Sequence, residues 1–263
     1  MDTLGNMNNL ALAYQAAGRL TDALPLFEET VQLSKTKLGL DHPHTVSSMD
    51  SLASAYRAAV RLADARSLFE ETLQLKKAKL GLDHPNTLTA MNNLASVYER
   101  QNDFSQAETT YREVLAARLR KDGADSTTSA SARATLGRNL IDQKKFSDAE
   151  SVLREALVVY EKKLPENWQT FNTRSLLGGA LAGQMKFAEA ESLLWSGYEG
   201  IKAREAKLSA ANKVRLKNAL ERLVRLYASW DKPEKAAGWQ KKLDEFTAAE
   251  AAKPAVPEDV PGQ

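Results

Sequence analysis

Cysteine is absent from the 263 residues. Disulfides, thiol nucleophiles and cysteine-bound metals are therefore excluded. Histidine is scarce: His42, His44 and His84 are the whole complement, too few for a histidine-rich metal centre. No apolar run approaches the roughly 20 residues that a membrane-spanning helix needs. The opening residues, MDTLGNMNNL, carry neither a basic region nor an apolar signal core. Charge of one sign is also lacking. The formal net charge is +2, divided as −2 over residues 1–200 and +4 over residues 201–263. That is far from the concentrated basic stripe of a nucleic-acid binder. With 43% apolar and 27% charged residues, the composition is globular. The expectation is a soluble, cytoplasmic protein with no membrane segment.

What is present is a repeat. GLDHPHTVSSMDSLASAYRAAVRLADARSLFEETLQL is followed 42 residues later by GLDHPNTLTAMNNLASVYERQNDFSQAETTYREVLAA. An alanine recurs at Ala23, Ala65, Ala107, Ala149, Ala190 and Ala236, in steps of 42, 42, 42, 41 and 46. A leucine thirteen residues upstream of each alanine recurs in parallel, at Leu10, Leu52, Leu94, Leu136, Leu177 and Leu223. Two anchors locked through six units indicate a repeat architecture.

The apolar spacing within a unit is helical. Met91, Leu94, Ala95 and Tyr98 stand at i, i+3, i+4 and i+7, and Phe104, Ala107, Tyr111, Val114 and Leu115 share a second face. Gly18 and Asn102 can adopt positive φ and end the first helix of a pair. Ser105 with Glu108, and Ser147 with Glu150, have the spacing of capping boxes that start the second. Pro43 and Pro85 suit a first helical position. The spacing predicts about twelve helices in antiparallel pairs and no strand.

These residues resemble the tetratricopeptide repeat. The matches are Leu10, Ala11, Tyr14, Ala23 and Phe27, then Leu52, Ala53, Tyr56, Ala65 and Phe69, then Leu94, Ala95, Tyr98, Ala107 and Tyr111. Units four and five drift to Gly137, Leu140, Leu153 and Gly178, Leu181, Leu194, and unit six puts Gln240 at the aromatic position. The 42-residue period with LGLDHP in the connection is most similar to the kinesin-light-chain type. The resemblance implies an all-α, right-handed superhelical solenoid over residues 1–246. Its units fall near 3–42, 43–84, 85–126, 127–168, 169–208 and 209–246. Residues 247–263, with three prolines and one glycine, are expected to be a disordered tail. Unit one begins almost at Met1 without a polar cap. Either that face is tolerated, or self-associates, or the chain is a piece of something longer.

Chemistry is hard to find. Asp41-His42-Pro43 and Asp83-His84-Pro85 occupy one repeat position just before a helix start. There Asp can bond free N–H groups and Pro presets the first turn, a structural role. LLGGALAG at 176–183 follows no strand and lacks the Lys-Ser/Thr ending of a phosphate loop, so Gly178 reads as a packing position. Glu28-Glu29 and Glu70-Glu71 read as a solvated face with i,i+4 partners. No catalytic, cofactor or metal residues are identified, and an enzyme is not expected. Trp195 falls on an apolar helical face and reads as core. Trp168 either staples a connection or forms an exposed anchor.

The resemblance implies that the first helix of each pair lines a concave groove that binds a peptide or protein segment. Carried onto this sequence, the groove positions include Asn8, Gln15, Asp50, Arg57, Asn92, Ser96, Glu99, Arg138, Asn172 and Arg225. Asn donates and accepts at once and suits an extended backbone. One subclass of the repeat clamps a C-terminal carboxylate with Asn, Lys and Arg where this chain has Leu12, Thr89 and Asn93, which argues against that ligand. Arg57, Arg100 and Arg138 can still recruit an acidic segment. Residues 164–246 also resemble the non-catalytic repeat region of large bacterial Ser/Thr protein kinases, so a sensor or scaffold module of such a signalling protein is the alternative. A nucleic-acid role would lean on the basic helices around Lys202–Arg225, whose interspersed acids speak against it.

Overall fold

The computed structural model describes residues 2–252. Twelve α-helices follow one another among them: α1 Asp2–Ala16, α2 Leu20–Leu38, α3 Pro43–Ala58, α4 Leu62–Leu80, α5 Pro85–Arg100, α6 Phe104–Asp122, α7 Thr127–Asp142, α8 Phe146–Lys163, α9 Trp168–Gly183, α10 Phe187–Lys202, α11 Ala210–Ser229 and α12 Pro233–Ala251. A single 3₁₀ turn, Glu205–Lys207, lies between α10 and α11. No strand occurs among the described residues. The packing divides the chain into two compact units, one ending at Ala117 and the other beginning at Arg118. In each unit consecutive helices pack on one another. The first helices of successive pairs also touch directly, α1 on α3 and α3 on α5 in one unit, α7 on α9 and α9 on α11 in the other. They therefore share a face.

Backbone chemistry fixes the turns within each pair. One residue per turn has positive φ: Gly18 at 77°, Val60, Asn102 and Lys144 at 62°, Met185 at 63° and Asp231 at 53°. The next residue's N–H closes a six-residue bond to the helix, as in Arg19 to the Tyr14 carbonyl and Arg61 to the Tyr56 carbonyl, both 2.9 Å. This is the Schellman termination. Gly18 and Asn102 behave as expected, and the other four positions adopt the same conformation without glycine or asparagine.

The starts of the second helices differ from the sequence reading. α6 begins at Phe104 and α8 at Phe146, so Ser105 and Ser147 lie inside the first turn and form no capping box. Asp103 accepts the Gln106 N–H at 3.2 Å. Lys145 precedes α8 with no side-chain cap. The preceding turn is already locked by its backbone, and it places the helix start two residues earlier than a serine cap would.

The DHP segments are corrected in detail. Pro43 and Pro85 do open α3 and α5. The cap, however, is the imidazole: Nδ1 of His42 accepts the His44 N–H and Nδ1 of His84 accepts the Asn86 N–H, both at 3.2 Å. Ser126 and Asn167 cap α7 and α9 in the same way, each at 3.1 Å. Asp41 turns away to Lys79 at 2.7 Å, and that ammonium holds its carboxyl below the usual range.

Between helices of a pair, small residues permit close approach. Ala11, Ala23, Ala53, Ala65, Ala95 and Ala107 are all fully buried. In the drifted units the exchange is compensated. A Cβ on Gly137 would stand 2.5 Å from Leu153, and one on Gly178 would stand 2.7 Å from Leu194. The leucine that replaces the aromatic occupies the space the alanine would have used. Unit six differs from the sequence alignment. Trp239, 6% exposed, fills the gap while Gln240 is exposed. Trp239 receives the edges of Trp195 and Tyr198 at 5.3 and 5.0 Å. Trp195 itself is 47% exposed, so the core assignment is wrong. Leu194, Tyr198 and Ile201 already supply the buried face of α10, and Trp195 falls about 100° away from Leu194. Leu10 is 49% exposed, unlike Leu52, Leu94, Leu136, Leu177 and Leu223, which are buried. Residues 247–251 continue α12 instead of opening the tail. The remainder of the expected tail, 253–263, lies outside the described residues.

Candidate interaction surface on the first helices

The shared face of α1, α3 and α5 carries the first group of expected groove residues, and much of it is tied down internally. Arg57 on α3 donates to Ser96 Oγ on α5 at 2.6 Å. Arg100 donates to the Arg57 carbonyl. Burial, and then Arg100, push the Arg57 guanidinium down from its ordinary value. Glu99 accepts the Tyr111 hydroxyl at 3.2 Å, and Asn92 donates to the Leu88 carbonyl of its own helix at 3.0 Å. Asp50 is paired to Lys76 of α4. Asn8 and Gln15 are half-buried, and Asn8 Oδ1 is buried without a partner.

A cavity of about 360 Å³ opens among α3, α4 and α5. Pro43, Ser47 and Asp50 line it from α3, Lys76 and Lys79 from α4, and Thr89 from α5. Its charges are matched: Lys76 to Asp50, and Lys79 to Asp41. Asp50 Oδ1 is left buried without a hydrogen bond. The lining is apolar with paired charges and one open acceptor, which suits an uncharged segment with an N–H to give.

In the second unit, Ser131 and Arg138 of α7 and Asn172 of α9 line a smaller cavity of about 110 Å³ together with Trp168, Gln169 and Arg215. Arg138 lies 3.7 Å from Asp142. Asn172 is buried. Trp168 opens α9, is half-buried and lines this cavity. Arg225 is exposed, 3.9 Å from Glu221, and does not line the cavity. Arg215 and Arg222 of α11 were not foreseen. They fall outside the positions that the repeat pattern assigns to the groove.

Models of the tetratricopeptide repeat match residues 2–78, 60–120 and 129–167. The chain belongs to the tetratricopeptide-repeat family. No curated protein matches it. Among solved structures it is similar to a putative kinesin light chain from Podosopora anserina with nearly identical TPR-like repeats. The TM-score is 0.69 at 22% identity, over 79% of this chain and 97% of that one. It is similar to BtubC (BKLC) from P. vanneervenii, with a TM-score of 0.65 at 18% identity over 99% and 97%. The apo form of RapI gives 0.70 at 11% identity over 95% and 100%. At these identities the likeness is one of fold.

On the second helices of the tetratricopeptide pairs, Glu70 has the expected i,i+4 partner, Arg66, at 2.8 Å. The glutamates of the second helices are struts between pairs. Tyr56 donates to Glu28 at 2.8 Å, Tyr98 to Glu70 at 3.1 Å and Tyr227 to Glu191 at 2.6 Å. Glu71 meets Lys35 at 3.3 Å. Desolvation and the carboxylate beside each push the hydroxyls of Tyr56 and Tyr227 up to about 12. Among the described residues no group of three or more His, Asp or Glu is placed to hold a metal ion, and no helix is long and apolar enough to cross a membrane.

Proposed function

We propose that this tetratricopeptide protein is a non-catalytic interaction scaffold that binds a peptide or protein segment along the face of its first helices. The observation that carries the reading is the placement of the cavities. In each unit, a cavity opens on that face and is lined by residues at its expected binding positions: Asp50 in one, with Ser47 and Thr89 beside it, and Arg138 and Asn172 in the other.

The test is affinity capture from source lysate with wild type beside Ser47→Arg/Thr89→Arg. Both residues are exposed, so the added side chains fill the first cavity without removing an interhelix bond. A partner retained by wild type and lost by the folded variant supports the groove. A partner retained equally by both places binding elsewhere and defeats this reading.

A further inference from the structure

A third cavity involves the second helices of the last two pairs. It opens between α10 and α12, with a volume of about 610 Å³, inside the roughly 300–1,000 Å³ of pockets that hold a ligand. Its walls are aromatic. Trp195 and Trp239 both line it. Their ring centroids are 5.3 Å apart and their planes stand at 82°, so the two rings form a corner. Trp195 is 47% exposed. Gly238 lines the cavity on α12, and a Cβ there would meet nothing within 4 Å. The missing side chain leaves the corner open.

The polar groups of this cavity are unequally occupied. Glu191 accepts from the Tyr227 hydroxyl at 2.6 Å and from Lys235 at 2.9 Å, and those two donors hold its carboxyl below the usual range. Three other lining groups make no hydrogen bond among the described residues: the indole N–H of Trp195, the hydroxyl of Ser192 and the ammonium of Lys242. Lys242 rests over the Trp239 ring, 4.1 Å from its centroid, and no carboxylate among the described residues pairs with it. Its neighbours on α12 are served, Lys235 by Glu191 and Lys241 by Glu245. All three unoccupied groups can donate, and the indole and the ammonium can do nothing else. An ordinary extended backbone would bring its own N–H groups against them, with Glu191, already bonded twice, as the only lining carboxylate to receive those groups.

From this geometry we infer that the cavity between α10 and α12 docks a partner's proline-rich segment in the polyproline II conformation, with proline rings against the two tryptophans and an acidic side chain against Lys242. Proline has no N–H to leave unpaired. The carbonyls of such a segment are free to accept from the Trp195 indole and the Ser192 hydroxyl, because polyproline II has no internal hydrogen bonds. The conformation is preformed, so little entropy is lost on docking to an aromatic groove. The carboxylate supplies the partner that Lys242 lacks and gains a charge-assisted bond. A cationic ligand is disfavoured, since Lys242 already holds the Trp239 face. The cavity lies on the second helices, so the inference stands apart from the first-helix reading.

The test uses full-length protein and three peptides: acetyl-Pro-Pro-Pro-Pro-Glu-Glu-amide, its counterpart with glutamine for glutamate, and its counterpart with alanine for proline. Binding is read by titration calorimetry and by the indole N–H resonances, that of Trp195 being the one lost in Trp195→Phe. The first peptide is expected to bind at least tenfold more tightly than the alanine peptide and at least threefold more tightly than the glutamine peptide, and to shift the Trp195 resonance. Gly238→Leu fills the corner from a position with open space around it. It is expected to weaken binding at least tenfold while the melting temperature stays equal or rises. Lys242→Gln is expected to abolish the preference for glutamate over glutamine. Ser47→Arg/Thr89→Arg is expected to bind the first peptide as wild type does. Equal affinity for the alanine peptide, full binding by Gly238→Leu, or binding lost in Ser47→Arg/Thr89→Arg would each overturn the inference, as would no binding of any peptide. Sedimentation supplies one further refutation: a wild-type dimer that Gly238→Leu converts to monomer would assign the cavity to a second copy of the chain.

Discussion

Replacing Val60 by glycine should stabilise this protein, and the amount can be worked from the turn. Val60 holds φ at 62°. A left-handed conformation costs an L-residue roughly 1–2 kcal/mol, and a β-branched side chain is an outlier there. Glycine removes that cost but loses about 0.4–1 kcal/mol through the greater freedom of the unfolded chain. The valine side chain contributes little burial, since the residue is 65% exposed. The net gain for Val60→Gly is then up to about 1.6 kcal/mol, centred near 0.8, or a rise of about 2–3 °C in melting temperature at that centre for a chain of this size. The reciprocal change, Gly18→Val, removes glycine from φ 77° and should lose about 1–2 kcal/mol. Thermal and urea unfolding followed by circular dichroism at 222 nm measure both. If Val60→Gly melts no higher than wild type and Gly18→Val is neutral, the turns are not set by backbone strain and the reasoning fails.

Glycines on α10 and α12 should respond in opposite directions to alanine. A Cβ on Gly200 would stand 1.9 Å from the Phe171 ring, so Gly200→Ala should destabilise by about 1–3 kcal/mol through overpacking. Gly238 has open space around it, and Gly238→Ala should stabilise by about 0.5–1 kcal/mol as a helix former; urea midpoints compare the pair. His42→Ala should cost about 1 kcal/mol by loss of the cap on α3, and His42→Asn should restore most of it, read from the same midpoints. Glu150 is pulled to about 2 by Lys186 first, then by Gln184 and Arg154, against an ordinary value of 4.5. Its folded value is depressed, so its contribution is complete above about pH 4.5 and is lost as pH falls towards 2. Lys186→Met should flatten the fall of stability across that window, and an unchanged slope would remove Glu150 from the account.

The fold was legible because its rules are periodic. Leu52, Leu94, Leu136 and Ala65, Ala107, Ala149 recur at fixed spacing since each must fill the same gap between helices, and the sequence can state that requirement repeatedly. Gly178 was readable as a packing position for the same reason. Gln240 was misread because unit six departs from the period, and Trp195 because it stands next to the buried Leu194, where a step of one residue on a helix moves a side chain by about 100°. The histidine caps were misread because Asp is the commoner acceptor at such a position, while the backbone angle at His42 aims its ring and not Asp41 at the free N–H.

The binding face was legible in position and not in chemistry, and the reason lies in who else those side chains can reach. A repeat pattern places Arg57, Ser96, Glu99 and Asn92 on the first helices, but it does not contain the distances between successive pairs. Those distances let Arg57 close on Ser96, and within one pair Tyr111 closes on Glu99, which turns expected ligand contacts into internal ones. The converse holds for Arg215. It lies outside the assigned positions, yet it lines the second cavity beside Arg138, with its Nε buried and without a hydrogen-bond partner. A residue whose bonds are all made within the fold has its role accounted for by stability. Arg215, half-buried with that donor unsatisfied, is not accounted for in that way.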